Sequence, residues 1–183
     1  SLALHPLSHD SIKALLAALK NPSSGVSYEA MRTLSKFRGF RQPVIDALLS
    51  IWQKNRSLWL KGTALETLTT IKPKLARPEV MATLENQQTP LLHYAIHSLG
   101  ILGTEADLQR LSTFLEHTDK KIALSAVEAL GYVDKSKIKP AMKETLKKAF
   151  ELGDAGLTTL ISQLISENRW REFSQSLLTV YPK

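Results

Sequence analysis

His93 and His97 are the two residues whose type and spacing could hold a metal ion. Four apart on a helix, two imidazoles share a face and can chelate. A closed site needs further ligands, and no third one stands at a diagnostic spacing. The pair therefore reads as partner-facing or solvated, and no metal is expected. If a partner touches it, affinity will vary between about pH 5 and 7, where imidazole titrates.

Other reactive arrangements are missing. The 183 residues contain no Cys, which removes a thiol nucleophile, a Cys-based zinc site and a disulfide framework. The redox compartment stays open. No His-Glu-x-x-His, no Gly-x-Ser-x-Gly and no Gly-rich phosphate loop ahead of Lys-Ser/Thr occurs. Glu66 and Glu128 hold the same register two units apart, which reads as too distant for cooperation. The chain is expected to be no enzyme and to need no cofactor.

The elements that position these side chains repeat. Ala30-Met31-Arg32-Thr33-Leu34, Ala64-Leu65-Glu66-Thr67-Leu68, Ala95-Ile96-His97-Ser98-Leu99 and Ala126-Val127-Glu128-Ala129-Leu130 share one pattern. Val26, Leu60, Leu91 or Ile122 precedes each Ala by four, and Phe37, Ile71, Leu102 or Val133 follows each Leu by three. The Ala-to-Ala spacings are 34, 31 and 31 residues. Apolar residues at these offsets form one stripe of a helix. The central Ala lets a neighbouring helix approach closely, and the polar residue two places later points away. Each such helix follows a second amphipathic segment: 8–20, 42–54, 78–87 or 104–117. Asn21-Pro22-Ser23-Ser24, Asn55-Arg56-Ser57, Gln88-Thr89-Pro90 and Thr118-Asp119 make the joints. Helix, short turn, helix is the unit.

A fifth unit is decayed. Residues 140–152 form a basic amphipathic segment, and Leu160-Ile161-Ser162-Gln163-Leu164 lacks the central Ala. A last segment, 169–181, places Trp170, Phe173, Leu177 and Val180 on one face, as a cap on a stack. The fold class expected is all-α, a right-handed α-solenoid of about five helical hairpins in one domain. Its units are about 8–39, 40–74, 75–103, 104–134 and 135–168, with the cap at 169–181.

The pattern resembles HEAT repeats, of the short bacterial, phycobilisome-lyase-like kind. The resemblance rests on Val26…Ala30…Leu34, Leu60…Ala64…Leu68, Leu91…Ala95…Leu99-Gly100 and Ile122…Ala126…Leu130-Gly131, and spans about residues 8–168. It implies that the second helix of each unit lines the concave surface. The family often has Arg directly after the first aliphatic, paired with an Asp of a neighbouring unit. Here Ser27, Lys61, Leu92 and Ala123 stand there, so apolar packing must replace that ladder.

With 43% hydrophobic residues, the chain is too apolar for disorder. Its longest apolar stretch, 91–102, is broken by His93 and His97 and is too short to span a bilayer. No leader opens the chain, so the cytoplasm is the default compartment. A first residue of Ser suggests a piece of a larger chain.

The net charge of +7 is banded: +8 over residues 32–77, −5 over 78–119 and +5 over 120–148. In the first band Lys36, Arg38 and Arg41 are placed in one turn, and Lys72, Lys74 and Arg77 in the equivalent turn. Two basic turns one unit apart could follow a phosphate backbone, with Tyr28, Trp52 and Trp59 stacking on bases. The acidic band interrupts that track, and both tryptophans read first as core. The expected function is a non-catalytic scaffold for another protein or peptide, bound on the concave face. Tyr28, Arg32, Glu66, His93, His97, Leu124 and Glu128 are its expected recognition residues. Nucleic-acid binding through the first band is the alternative.

Overall fold

The first helix starts at a serine. In the computed structural model of the chain, Ser8 is extended and its hydroxyl accepts the Ser11 N–H at 3.1 Å, opening α1 (His9–Leu19). There follow α2 (Ser24–Leu34), α3 (Gln42–Lys54), α4 (Leu58–Ile71), α5 (Pro73–Glu85), α6 (Leu92–Leu102), α7 (Glu105–Leu115) and α8 (Lys120–Leu130). The structure describes residues 8–36, 42–86 and 89–133, with Thr158, Thr159 and Ser162. Among the described residues the fold is all-α, built of helical hairpins as in a solenoid, with eight helices and no strand.

One device recurs in the four described hairpin turns. Asn21 Oδ1 accepts the Ser23 N–H at 2.8 Å, and Asn55 Oδ1 accepts that of Ser57 at 2.8 Å. Thr89 Oγ1 accepts the Leu91 N–H at 3.3 Å, and His117 Nδ1 accepts the Asp119 N–H at 3.0 Å. A side chain bonding two residues ahead mimics a backbone turn, so the chain reverses within a few residues. Ser57 and Asp119 then cap the helices that follow, and Thr104 with Asp107 forms a reciprocal capping box on α7.

α5 begins earlier than the sequence pattern indicates. Pro73 takes the first helical position, where its missing N–H and preset φ suit the geometry, and Pro78 lies inside the helix. The helix runs through Pro78, which forfeits one internal hydrogen bond. Reading the second proline as the start put the boundary at 78.

The chain divides into two compact units, residues 1–98 and 99–183. In the first, α1 packs on α2 and α3, α2 packs on α4, and α4 also packs on α3 and α5. Like helices of successive hairpins therefore lie side by side. Ala30, Ala64 and Ala95 are buried, as are Met31, Leu65 and Ile96 beside them and Leu34 and Leu68 one turn on. The stripe fails at its leading edge, where Val26 is 42% exposed. Thr63, Thr67 and Thr69 are buried too, each donating its hydroxyl to the carbonyl four residues back. That bond satisfies a polar group without widening the helix spacing.

In place of the ion-pair ladder stands other chemistry. Ser27 is buried, with Oγ within 3.3 Å of the Ala18, Leu19 and Asn21 carbonyls, so it closes the open end of α1. Lys61 sits over the Trp52 ring at 5.5 Å, and Trp52 Nε1 donates to Glu79 Oε2 at 2.9 Å. A buried indole thus links α3, α4 and α5.

In the second unit α7 packs on α8, around Leu108, Leu111, Leu115, Ala126, Val127 and Leu130. Gly100 lies against the Ala129 carbonyl, where any Cβ would overlap it. Glycine at that position is what permits the approach. The expected fifth unit (135–168) and cap (169–181) lie outside the described residues, apart from Thr158, Thr159 and Ser162, which are helical. No helix among the described residues is long and apolar enough to cross a membrane.

Candidate functional site

The second helices of the first unit carry aromatic side chains at neighbouring heights. Tyr28 on α2 stacks on Trp59 of α4, with ring centroids 4.8 Å apart and planes at 28°. Trp59 is 42% exposed, so an indole face meets solvent. One hairpin later, the Tyr94 ring of α6 lies over Gly62 of α4 so closely that a Cβ there would clash. A glycine inside a helix costs about 1 kcal/mol against alanine. Here it makes the seat for an aromatic ring.

His93 continues the strip, 3.8 Å from Tyr94 between centroids and 6.3 Å from His97 in an edge-on arrangement. His97 Nδ1 lies 3.0 Å from Glu66 Oε1, and both side chains are mostly buried, 15% and 25% exposed. Tyr94 answers to its surroundings: burial first, then the negative charge of Glu66 and the nearby Tyr28, raise its pKa above 10.0. It stays a neutral phenol, able to donate or accept. Arg32, further along α2, is exposed and paired with Glu29 at 3.0 Å. Such an exposed pair contributes little to stability.

Of the seven residues expected on the recognition face, five lie on the second helices of the first unit: Tyr28, Arg32, Glu66, His93 and His97. Leu124, half-buried, and Glu128, exposed, lie on α8 in the second unit. Glu66 meets a residue of the next repeat, His97. Both occupy the place two after the central Ala, so the shared register was the readable signal. Tyr94 was overlooked because it adjoins the central Ala and looks like core. The reading of both tryptophans as core holds for Trp52, which is buried, and fails for Trp59. Trp59 precedes the buried stripe by one position, at the first turn of α4, and stays part-exposed there.

The basic patch is only partly assembled as expected. Lys36 is exposed, and Lys72 lies between α4 and α5, but Lys74 and Arg77 belong to α5 and not to a turn. Arg38 and Arg41 lie outside the described residues. Among the described residues no group of three or more His, Asp or Glu is arranged to hold a metal ion.

The strip is thus a surface of rings and paired charges. Residues 45–131, from α3 to the end of α8, match a family model described as HEAT repeats. These residues are HEAT repeats. The match covers the second, third and fourth hairpins. No curated protein matches the chain. HEAT repeats commonly serve as scaffolds for protein interaction.

Proposed function

We propose that this HEAT-repeat protein is a non-catalytic scaffold that binds another protein along the face of its second helices. The observation that carries the reading is the Tyr28–Trp59 stack at 4.8 Å, continued by Tyr94 seated on Gly62. Stacked aromatic rings offer large contact area at small entropic cost, and Trp and Tyr dominate the energetics of protein interfaces. Arg32, Glu66, His93 and His97 border these rings and supply polar selectivity, while Leu124 and Glu128 hold the same register on α8. The seats of the rings are set by packing within the repeats, so little ordering is needed on binding.

The test compares wild type with W59A and with R32A in affinity capture from the native source. Loss of the same captured protein in both variants, with unchanged thermal unfolding, is the expected result. An unaltered set of captured proteins would sink the assignment.

A second reading, nucleic-acid binding through residues 32–77, is favoured by exposed Lys36, Lys72 and Lys74. Phosphate contacts make affinity fall steeply with salt. A gel shift absent at low salt excludes it.

A further inference from the structure

Two turns carry the same pattern, Lys20-Asn21-Pro22-Ser23 and Lys54-Asn55-Arg56-Ser57, set 34 residues apart. Ala30 and Ala64 have that same spacing, so the turns are equivalent places in consecutive hairpins. The later turns, Asn86 to Thr89 and Glu116 to Asp119, lack the Lys-Asn pair. Lys20, Asn21, Lys54 and Asn55 together line one open cleft of about 490 Å³ within the first unit.

The cleft presents donors. In each turn a backbone N–H, which can only donate, lies 2.8 Å from the asparagine Oδ1. That fixes which end of each amide is oxygen and leaves its Nδ2 as the outward donor. Neither Nδ2 is hydrogen-bonded to a described residue. Lys20 and Lys54 are exposed and form no ion pair among the described residues. No Asp or Glu lines the cleft. The carbonyls at the end of α1, which would oppose an anion, are shared by the buried Ser27 hydroxyl.

We propose that this cleft binds an acidic segment of a polypeptide, with one carboxylate at each Lys-Asn turn. Packed neighbouring helices lie about 8–10 Å apart. An extended chain rises about 3.3 Å per residue and alternates its faces, so carboxylates two or four residues apart on one face reach both turns. Two ammonium groups neutralise only two phosphates, too few for firm hold on nucleic acid, whose affinity grows with the number contacted. Neither Tyr28 nor Trp59 lines the cleft, so the site is separate from the second-helix face. It rests on the protein-binding reading only for the source of the acidic segment.

The test measures fluorescence anisotropy of a labelled, N-acetylated hexaglutamate peptide with the full chain at low salt. Saturable binding is expected, weakened at least tenfold in K20Q/K54Q. An equal loss is expected in N21D/N55D, which keeps the oxygen that forms each turn but replaces the amide donor. Circular dichroism and thermal unfolding of both variants should match wild type. W59A should bind the peptide unchanged, which separates this site from the second-helix face. Absent binding, undiminished binding by K20Q/K54Q, or loss in W59A would each overturn the proposal. So would tighter binding of an oligothymidylate of equal charge that the same lysine changes abolish.

Discussion

Glu66 and His97 are 31 residues apart in sequence, and their Oε1 and Nδ1 atoms are 3.0 Å apart in the fold. The two side chains stand at the same register in consecutive repeats and tie α4 to α6. Because both are mostly buried, the contact is held in place more firmly than an exposed pair. A double-mutant cycle of E66A and H97A is expected to give a coupling energy of about 0.5–1.5 kcal/mol. Denaturant unfolding of the four proteins measures it, and additivity within about 0.3 kcal/mol would show the contact to be inert.

Gly62 should resist substitution. Alanine raises helix propensity by about 1 kcal/mol, yet its Cβ would overlap the Tyr94 ring. G62A is expected to destabilise by about 1–3 kcal/mol, the usual cost of overpacking. With Y94A as background the ring is gone, and the same change becomes neutral or stabilising. Thermal unfolding of the three variants decides between the two effects.

Tyr94 should report its environment in alkaline solution. Of the four tyrosines, it is expected to ionise above pH 10.0, seen as delayed phenolate absorbance that Y94F removes. Its raised pKa favours the protonated native state, so this contribution to stability is complete below pH 10.0. Above that pH the unfolded chain ionises first, and the contribution is lost as pH rises through the folded value. E66Q, by removing one negative charge, should bring the titration back toward the usual range.

Ala95 and Ala126 are both wholly buried on the packed stripes of their helices. Replacing either with Leu should cost about 1–3 kcal/mol through overpacking. A neutral change in denaturant midpoint would mean that the helices can separate to accept the larger side chain.

The helices and their buried stripes were legible from spacing alone. Ala30, Leu34, Ala64, Leu68, Ala95, Leu99, Ala126 and Leu130 sit where a helical period puts them, and all are buried. Amphipathic periodicity is local, because 3.6 residues per turn sorts neighbours in sequence onto faces without help from the rest of the chain. The turns were legible for the same reason, since Asn21 and Asn55 bond two residues ahead.

What meets what between repeats followed no such rule. Period alone could not say that Glu66 finds His97, that Tyr94 settles on Gly62, or that Trp52 is covered while Trp59 is not. Nor could it say that α5 starts at Pro73 and carries Lys74 and Arg77 with it. Those outcomes depend on how far one helix is offset against the next, and that offset minimises the packing energy of whole faces. The repeat in the sequence is enough to specify a HEAT-repeat chain. The aromatic strip and the paired Lys-Asn turns arise only when the hairpins stack and bring residues one repeat apart together.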